Sequence, residues 1–428
     1  MGFLADYDAL AESTAPPEQI AQQQMQLFEM WLAGKPDQLF GELRAGRPIF
    51  MTPAPVVVSR FRDVVEILEY NQIYTVAPWG EAMRRDMGGP NFVLGMEDSA
   101  EYKREISILR LAVRREDADT VTRMSARNAQ RLAAEGQTKG IFDITDGYAR
   151  LIPTLFVGEY IGTPGPDPTT LMTWERTLFF DIFFNLTHDP AKQAAALAAS
   201  KSLDDYIQSV IDKTQAAHRS GELYPDTVLG RLLAIQSLRP SDLSNERVRV
   251  NITGCIAGVI DNVCSGIVNA MDVLLSRPDA LPGAIAAAQS DNDALLTRYV
   301  LEALRFNVPA PLLFRISSED HILARGTPRE AVVPANKLIF VSTASAMVDE
   351  TELNQPQNFD LNRPMTQYLH FGWGLHECLG KYLSIPMLTQ AVKALLRLKN
   401  IRRADGDAGQ VKRDGPFPVA FSVTCDRA

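Results

Sequence analysis

The chain has 428 residues, of which 46% are hydrophobic and 22% are charged, and its formal net charge at pH 7 is −9. This composition is typical of a globular protein and excludes a disordered or collagen-like chain. The negative charge argues against a protein that coats nucleic acid or an anionic membrane, because both partners attract a positive field.

In chain order, the first predicted elements are a strand at 55–60, helices at 63–71 and 126–135, and a turn-rich loop at 163–168. They are followed by predicted helices at 244–276 and 293–306, a strand at 337–344, a helix at 383–399 and a strand at 419–425. The helices show apolar residues every three or four positions, and the strands are rich in β-branched residues. No internal repeat or Gly/Ser-rich linker interrupts the chain. These patterns predict a single domain over residues 1–428, mainly α with minor β.

The most apolar stretch, 251–275, contains Asn251, Asp261, Asn262, Asn269 and Asp272. A helix that spans a bilayer does not carry five such side chains, so we expect a buried helix of a soluble protein. The N-terminus lacks a basic segment followed by a long apolar run. The four cysteines form no Cys-x-x-Cys pair, which favours a reducing compartment. A cytoplasmic protein without a membrane partner is predicted.

The densest pattern lies in residues 364–384, where Gly372 and Gly374 precede Cys378 and Gly380 precedes a helical segment. Glycines permit unusual backbone angles and close approach to a flat partner. A cysteine just before a helix has its thiolate stabilised by the helix dipole. The pattern indicates an anionic sulfur facing a planar group. A buried structural cysteine in a glycine-rich turn is the alternative.

Residues 371–380 read FGWGLHECLG and resemble the haem-binding loop of the cytochrome P450 family, Phe-Gly-x-Gly-x-His-x-Cys-x-Gly, at every fixed position. The resemblance implies a P450 fold with a long central helix over a buried haem b. It makes Cys378 the axial thiolate ligand of the iron, in a loop built by Phe371, Gly372 and Gly380. A thiolate ligand pushes electron density onto iron and favours O–O cleavage.

Further residues match family positions by the same resemblance. Glu302 and Arg305 supply the Glu-x-x-Arg pair, three residues apart on one helix face, and Arg363 resembles the third member of this structural triad. His376 and Arg315 stand where the family binds the haem propionates, and cations there neutralise two carboxylates.

Two stretches depart from the family pattern. The first is an early helix in which the family often carries His-x-x-x-Arg as a propionate contact. Here Tyr102 stands at the histidine position and Ile106 at the arginine position. Tyr102 can still donate a hydrogen bond to a carboxylate, and Arg104 or Lys103 is a candidate to replace the missing arginine.

The second departure lies in the central helix, where family members usually carry an acid followed by a threonine whose hydroxyl helps protonate bound dioxygen. Aligning residues 257–258 with the family's small pair puts Asp261 at the threonine position. Counting back from Pro278 puts Asn262 there, with Asp261 as the acid and Gly258 where the helix opens for oxygen. We prefer the second register, and neither contains a threonine.

Three functions follow from this departure. In the first, Asn262 and ordered water replace the threonine, and the protein is a monooxygenase that hydroxylates a small apolar substrate with O2 and two external electrons. In the second, the protein accepts a preformed peroxide, as a peroxygenase or as relatives that isomerise lipid hydroperoxides and carry an asparagine in this helix. The third is a non-catalytic haem-binding sensor. The family as a whole favours the monooxygenase. Asn262 could also serve only to satisfy backbone groups of a distorted helix.

The position of several apolar segments predicts a pocket for a fatty acid, terpene or aromatic substrate. The predicted pocket residues are Trp79, Met83, Phe92, Phe179, Phe180, Phe183, Val308, Leu312 and Phe417. Arg84 and Arg85 are either ligands for a substrate carboxylate or surface charges.

A monooxygenase needs electrons from outside, and the chain shows no Gly-x-Gly-x-x-Gly turn in a βαβ unit and no Cys-x4-Cys-x2-Cys cluster. The resemblance implies a ferredoxin or flavodoxin partner that docks near Cys378. Lys381, Lys393 and Arg397 are the predicted basic patch for it. A peroxide-using enzyme needs no such partner.

Overall fold

A computed structural model of the chain describes residues 2–185 and 187–427, and the side chain of Pro78 is not described. The chain forms two compact units. Unit 1 comprises Met1–Val76 and Arg305–Cys378, and unit 2 comprises Ala77–Leu304 and Leu379–Ala428. The single domain expected over residues 1–428 stays a prediction.

The α-helices in chain order are α1 (Phe3–Ala11), α2 (Pro17–Gly34), α3 (Pro36–Gly46), α4 (Phe61–Glu69), α5 (Ala77–Met87), α6 (Ala100–Ala112), α7 (Ala118–Lys139), α8 (Leu151–Phe156), α9 (Pro168–Phe184), α10 (Pro190–Arg219), α11 (Val228–Leu238), α12 (Asn245–Leu275), α13 (Leu281–Gln289), α14 (Asp293–Phe306), α15 (Thr343–Ala346) and α16 (Lys381–Leu396). The strands are β1 (Ile49–Met51), β2 (Val56–Val58), β3 (Tyr74–Thr75), β4 (Ile141–Asp143), β5 (Leu312–Ser317), β6 (His321–Leu323), β7 (Ala331–Val333), β8 (Leu338–Ser342), β9 (Arg402–Arg403), β10 (Lys412–Asp414), β11 (Phe417–Ala420) and β12 (Ser422–Thr424). The prediction of a mainly α chain with minor β is confirmed.

Unit 1 is built on a five-stranded sheet in the order β1-β2-β8-β5-β3. β2 pairs with β8 in parallel, with Val57 opposite Phe340, and the other pairs are antiparallel. All three residues of β2 are buried, as expected for an apolar strand covered on both faces. Val57 and Phe340 belong to a hydrophobic cluster with residues of α1–α3. The predicted strands at 55–60 and 337–344 are confirmed.

The long helix α12 is the core of unit 2 and packs against α8, α9, α10 and α16. It begins at a capping serine, since the Ser244 hydroxyl accepts a hydrogen bond from the amide of Arg247 at 3.1 Å. It ends just before Pro278. Among the described residues it is the helix long and apolar enough to span a bilayer, but 78% of its apolar window is buried. The predicted buried helix at 244–276 is therefore confirmed.

The turn-rich loop at 163–168 ends in a helix cap. Asp167 accepts a hydrogen bond from the amide of Thr170 at 2.9 Å, and Pro168 is the first residue of α9. The predicted C-terminal strand at 419–425 is divided into β11 and β12 on either side of Phe421, with β12 lying between β4 and β9.

Candidate active site

The cysteine loop of unit 1 has a backbone that two glycines make possible. Gly372 and Gly374 have φ angles of +70° and +72°, which favour glycine. A Cβ atom on Gly374 would lie 2.5 Å from the carbonyl oxygen of Leu68, at the end of α4. The amide of Cys378 donates to the carbonyl of Phe371 at 2.8 Å and closes the loop.

Of the four cysteines, all of which lie in the described part of the chain, Cys378 is the exposed one. Burial raises the pKa of Cys255 to about 12, and burial and the Asp261 charge raise the pKa of Cys264 well above its ordinary value. A thiolate, not a thiol, binds a metal. Cys378 is therefore the cysteine suited to be a ligand.

The two predicted propionate residues, His376 and Arg315, come together in unit 1. Burial and the nearby Arg315 guanidinium lower the pKa of His376 to about 3. Without bound carboxylates the imidazole is thus neutral at pH 7 and can donate one hydrogen bond, while Arg315 carries the positive charge. Carboxylates bound there would favour the charged imidazole, so the expectation of two cations stays a prediction. The cysteine loop is fixed to α4 by Trp373, whose indole N–H donates to Glu69 at 2.8 Å.

The arginines of the predicted triad fix a loop of unit 1. Arg305 and Arg363 both donate to the carbonyl of Asn358, at 3.1 and 3.2 Å. Each also binds further carbonyls, namely Met347 for Arg305 and Asn354 and Gln355 for Arg363. Glu302 and Arg305 are both buried on α14. This geometry suits a structural role, and their clamping of the cysteine loop stays a prediction.

In unit 2, α12 has one accessible stripe. Between Val250 and Met271 the residues that are not buried are Cys255, Gly258, Val259 and Asn262. Spacings of three and four place them on one helix face. We call this face the open stripe. No atom among the described residues lies within 4 Å of a Cβ built on Gly258, and the Asn262 amide donates to the Gly258 carbonyl at 3.2 Å.

Asp261 lies on a different face of α12 and is only 1% exposed. Its carboxylate accepts hydrogen bonds from Arg176 Nε and Nη2 at 2.9 and 2.8 Å, and Arg150 Nε lies 2.9 Å away. The structure thus puts Asn262, not Asp261, beside Gly258 on the open stripe, which favours the second register. The role of Asp261 as an acid in turnover stays a prediction.

Sequence reasoning missed the partners of Asp261. Arg150 ends a π-helical turn, Thr145–Arg150, and Glu175 and Arg176 lie on α9. Glu175 is fully buried, and its carboxyl group is within hydrogen-bonding reach of Asp261. The adjacent charges of Glu175 and Arg176 inside an apolar segment are the signal that could have pointed to this cluster.

Several predicted pocket residues of unit 2 form an aromatic cluster. Phe179, Phe180, Phe184 and Phe417 have ring centroids 5.9–6.4 Å apart where they meet, and Phe183 lies 4.8 Å from Phe179. The Phe92 ring covers Gly254 of α12, since a Cβ there would lie 2.5 Å from the ring. Trp79 and Met83 are buried.

The two predicted pocket residues of unit 1 lie in its hydrophobic clusters. Val308 is buried in the cluster that contains Val58 and Val341, and Leu312 packs against the cluster around Phe28. Both side chains thus contribute to packing within unit 1, and their contact with a substrate stays a prediction.

The charged residues near the predicted pocket are not equivalent. Arg85 is held by Asp86 at 2.6 Å and by Asp181, so it is not available for a substrate carboxylate. Arg84 is exposed and remains a candidate. In α6, Tyr102 is buried, whereas Arg104 is exposed and binds Glu105 at 3.1 Å. Arg104 is therefore poorly placed to replace the missing arginine.

The predicted basic patch is wrong in one of its three members. Lys393 is buried and binds Asp291 and Asp293, each at 2.7 Å, so its charge is neutralised within unit 2. Arg397 follows α16, is exposed and binds Asp291 at 2.5 Å. Lys381 and Arg397 stay the predicted members of the patch.

Comparison with known proteins agrees with these features. The cytochrome P450 family model matches residues 169–401. A bifunctional dioxygenase-epoxy alcohol synthase of Fusarium oxysporum is 25% identical over 442 residues, covering 90% of this chain and 34% of the relative. Psi-producing oxygenase A of Emericella nidulans is 32% identical over 203 residues, covering 45% of this chain and 18% of the relative. The chain thus spans about a third or less of the length of these curated relatives.

The fold is that of solved P450 structures. A cytochrome P450 from Chondromyces apiculatus superposes with a TM-score of 0.76 at 20% identity, covering 93% of this chain and 97% of the other. The P450 fold predicted from the loop motif is therefore confirmed.

The family's cofactor is haem bound through a cysteine thiolate, and the residues of unit 1 fit it. Gly372 and Gly374 allow the loop before Cys378 its left-handed backbone angles. Cys378 is exposed, and Arg315 with His376 supplies the donors that carboxylates require. With a family model that covers more than half of its residues, this chain belongs to the cytochrome P450 family.

Proposed function

We propose that this chain is a haem-thiolate enzyme that rearranges a preformed fatty-acid hydroperoxide, rather than one that activates dioxygen. The observation that carries the proposal is the composition of the open stripe. The polar side chain beside Gly258 on this stripe is the Asn262 amide, and the neighbouring acid, Asp261, is bound by two arginines on another face of α12.

The chemistry of an amide suits a peroxide. An unsaturated hydroperoxide and the corresponding epoxy alcohol are isomers, so their interconversion consumes no electron or proton from outside. Asn262 can donate to one peroxide oxygen and accept from the other, but it cannot relay a proton as a hydroxyl does. The haem, when bound, supplies cleavage of the O–O bond, which a thiolate ligand favours.

The substrate class follows from unit 2. The aromatic cluster around Phe179 and Phe417 offers an apolar surface to an acyl chain. Arg84, exposed on α5, is a candidate partner for the carboxylate at the end of that chain. The relative from Fusarium oxysporum is named for epoxy alcohol synthesis, which agrees with a hydroperoxide as substrate.

A second candidate, a monooxygenase fed by an electron carrier, is favoured by a surface of unit 2. Leu111 is 60% exposed and Tyr382 is 39% exposed. The Arg115 guanidinium lies 4.0 Å from the Tyr382 ring centroid, Lys381 Nζ lies 5.9 Å from it, and Arg110 is exposed beside Leu111. An exposed aromatic ring flanked by two cations fits an acidic ferredoxin or flavodoxin. We also propose that the protein is cytoplasmic, where such electron carriers would reach it.

The test uses the haem-loaded protein under anaerobic conditions without reductase. A linoleic-acid hydroperoxide should give epoxy alcohol or diol. Asn262→Ala should slow product formation, whereas Val259→Ala, a truncation on the same stripe, should not. No product from hydroperoxide, with hydroxylation of a fatty acid when O2 and a surrogate ferredoxin system are supplied, would replace the proposal by the second candidate. Haem binding without turnover under either condition would favour the non-catalytic sensor.

A further inference from the structure

A buried group of charges lies in unit 2 on a face of α12 next to the open stripe, since Asp261 precedes Asn262 by one residue. Glu175 of α9 is 0% exposed and Asp261 of α12 is 1% exposed. Arg150 and Arg176 are the cations of the group. Two carboxyl groups so close together and so deeply buried do not both ionise readily, because each charge repels the other in a low dielectric.

The donors are shared very unequally between the two carboxyl groups. Asp261 has three guanidinium nitrogens within 2.9 Å. Both oxygens of Glu175 lack a hydrogen-bond donor among the described residues, and the nearest cation atom, Arg150 Nη2, is 4.0 Å away. That nitrogen donates instead to the carbonyl of Met172 at 2.5 Å. An ionised Glu175 would therefore be a buried charge without a partner.

We propose that Glu175 is a neutral carboxylic acid at pH 7 that donates its proton in a hydrogen bond to Asp261, so that the two residues share one proton on the face of α12 next to the open stripe. Burial and the Asp261 carboxylate both raise the pKa of Glu175. The charged and titratable groups around the pair are Asp146, Arg150, Arg176, Cys264 and, beyond Cys264, Arg413.

Glu175 is a positioning residue in this arrangement, because it acts on the open stripe through Asp261. Its hydrogen bond and the three guanidinium contacts together fix the Asp261 side chain and hence the rotation of α12 that turns Asn262 onto the open stripe. This role in turnover rests on the proposed function, whereas the shared proton does not. If the proton moves within the pair, the O–H bond of Glu175 breaks as an O–H bond on Asp261 forms, and the reverse transfer restores the pair, so the number of protons on the two carboxyl groups stays one.

The experiment is infrared spectroscopy of the haem-loaded protein at pH 7, in H2O and in D2O. Wild type should show the carbonyl stretch of a protonated carboxyl group, shifted in D2O. Glu175→Gln should remove this band, and Glu135→Gln, on the exposed side of α7, should keep it. A wild-type spectrum without the band, or a band that survives in Glu175→Gln, would overturn the proposal.

A second measurement covers the case in which the spectra are obscured. The difference in thermal unfolding midpoint, Glu175→Gln minus wild type, should increase as the pH rises from 5 to 8, because only wild type must retain a buried proton. A difference that falls with pH would mean that Glu175 is ionised and stabilising. A constant difference would mean that Glu175 has the same pKa in the folded and the unfolded chain. Either result would overturn the proposal. Neither measurement requires turnover, so their failure and failure of the hydroperoxide assay are distinguishable.

Discussion

The glycine loop before Cys378 gives a sharp prediction for Gly374→Ala. A left-handed backbone angle costs a non-glycine residue about 1–2 kcal/mol. At Gly374 the added Cβ would also lie 2.5 Å from the Leu68 carbonyl oxygen. This atom belongs to the helix end of α4 and cannot rotate away. Overpacking of this kind adds about 1–3 kcal/mol, so we expect a total loss of about 2–5 kcal/mol in the free energy of unfolding.

Two other glycines separate the backbone angle from the close contact. Gly372 has φ +70°, and the nearest atom to its Cβ would be 3.6 Å away. Gly326 has φ +76°, with no described atom within 4 Å. Alanine at either position should lower the free energy of unfolding only by the cost of the left-handed backbone angle, about 1–2 kcal/mol.

The assay is chemical denaturation of the haem-loaded variants together with their absorbance spectra. Gly374→Ala should be the least stable, and its reduced carbon-monoxide complex should lose the thiolate signature, because the loop must move away from α4. The Gly326→Ala control, which lies outside the loop, should keep the signature of the Cys378 thiolate. Equal losses in all three variants would refute the argument that the Leu68 contact sets the loop.

Four further predictions concern unit 2. Asp261→Asn should destabilise the fold by about 3–5 kcal/mol in urea unfolding, because it removes the carboxylate that compensates the buried Arg150 and the partly buried Arg176, and a change below about 1 kcal/mol would contradict this. The raised pKa of Glu175 means that the native state keeps a proton that the unfolded chain loses above about pH 4.3, so stability falls as the pH rises, by up to about 1.4 kcal/mol per unit. Glu175→Gln should remove that slope. Gly254→Ala should displace the Phe92 ring and weaken fatty-acid binding in a spectral titration, and unchanged affinity would remove Phe92 from the pocket. Arg115→Glu should lower turnover supported by an electron carrier on the order of tenfold while leaving hydroperoxide-driven turnover unchanged, and equal losses in both assays would exclude a docking role.

Features that depend on neighbouring residues could be predicted from the sequence. The helix predicted at 293–306 is α14 without a shift, and the helix predicted at 244–276 differs from α12 by one residue at each end. Both helices have a long apolar periodicity. The ends of such a helix are set by local signals in the sequence, for example the capping serine Ser244 at the start of α12. The loop motif likewise specified the cysteine and its glycines, because their roles depend on residues within ten positions of one another.

The long-range partners could not be read from the sequence. Arg176 binds Asp261, 85 residues away, and Lys393 binds Asp293, 100 residues away. A helical pattern shows which residues share a face but not which charge the opposite helix presents to it. For that reason Lys393 was expected at a docking surface and is instead neutralised in the interior, and the Glu175 pair went unnoticed.

The most direct test of the central claim follows the oxygen atoms of the substrate. A fatty-acid hydroperoxide labelled with heavy oxygen in both peroxide positions is given to the haem-loaded protein without O2 or electron donor. The account predicts an epoxy alcohol or diol that retains both labelled atoms, formed more slowly by Asn262→Ala than by Val259→Ala. Product that appears only with O2 and an electron donor, or that carries oxygen from O2, would contradict it.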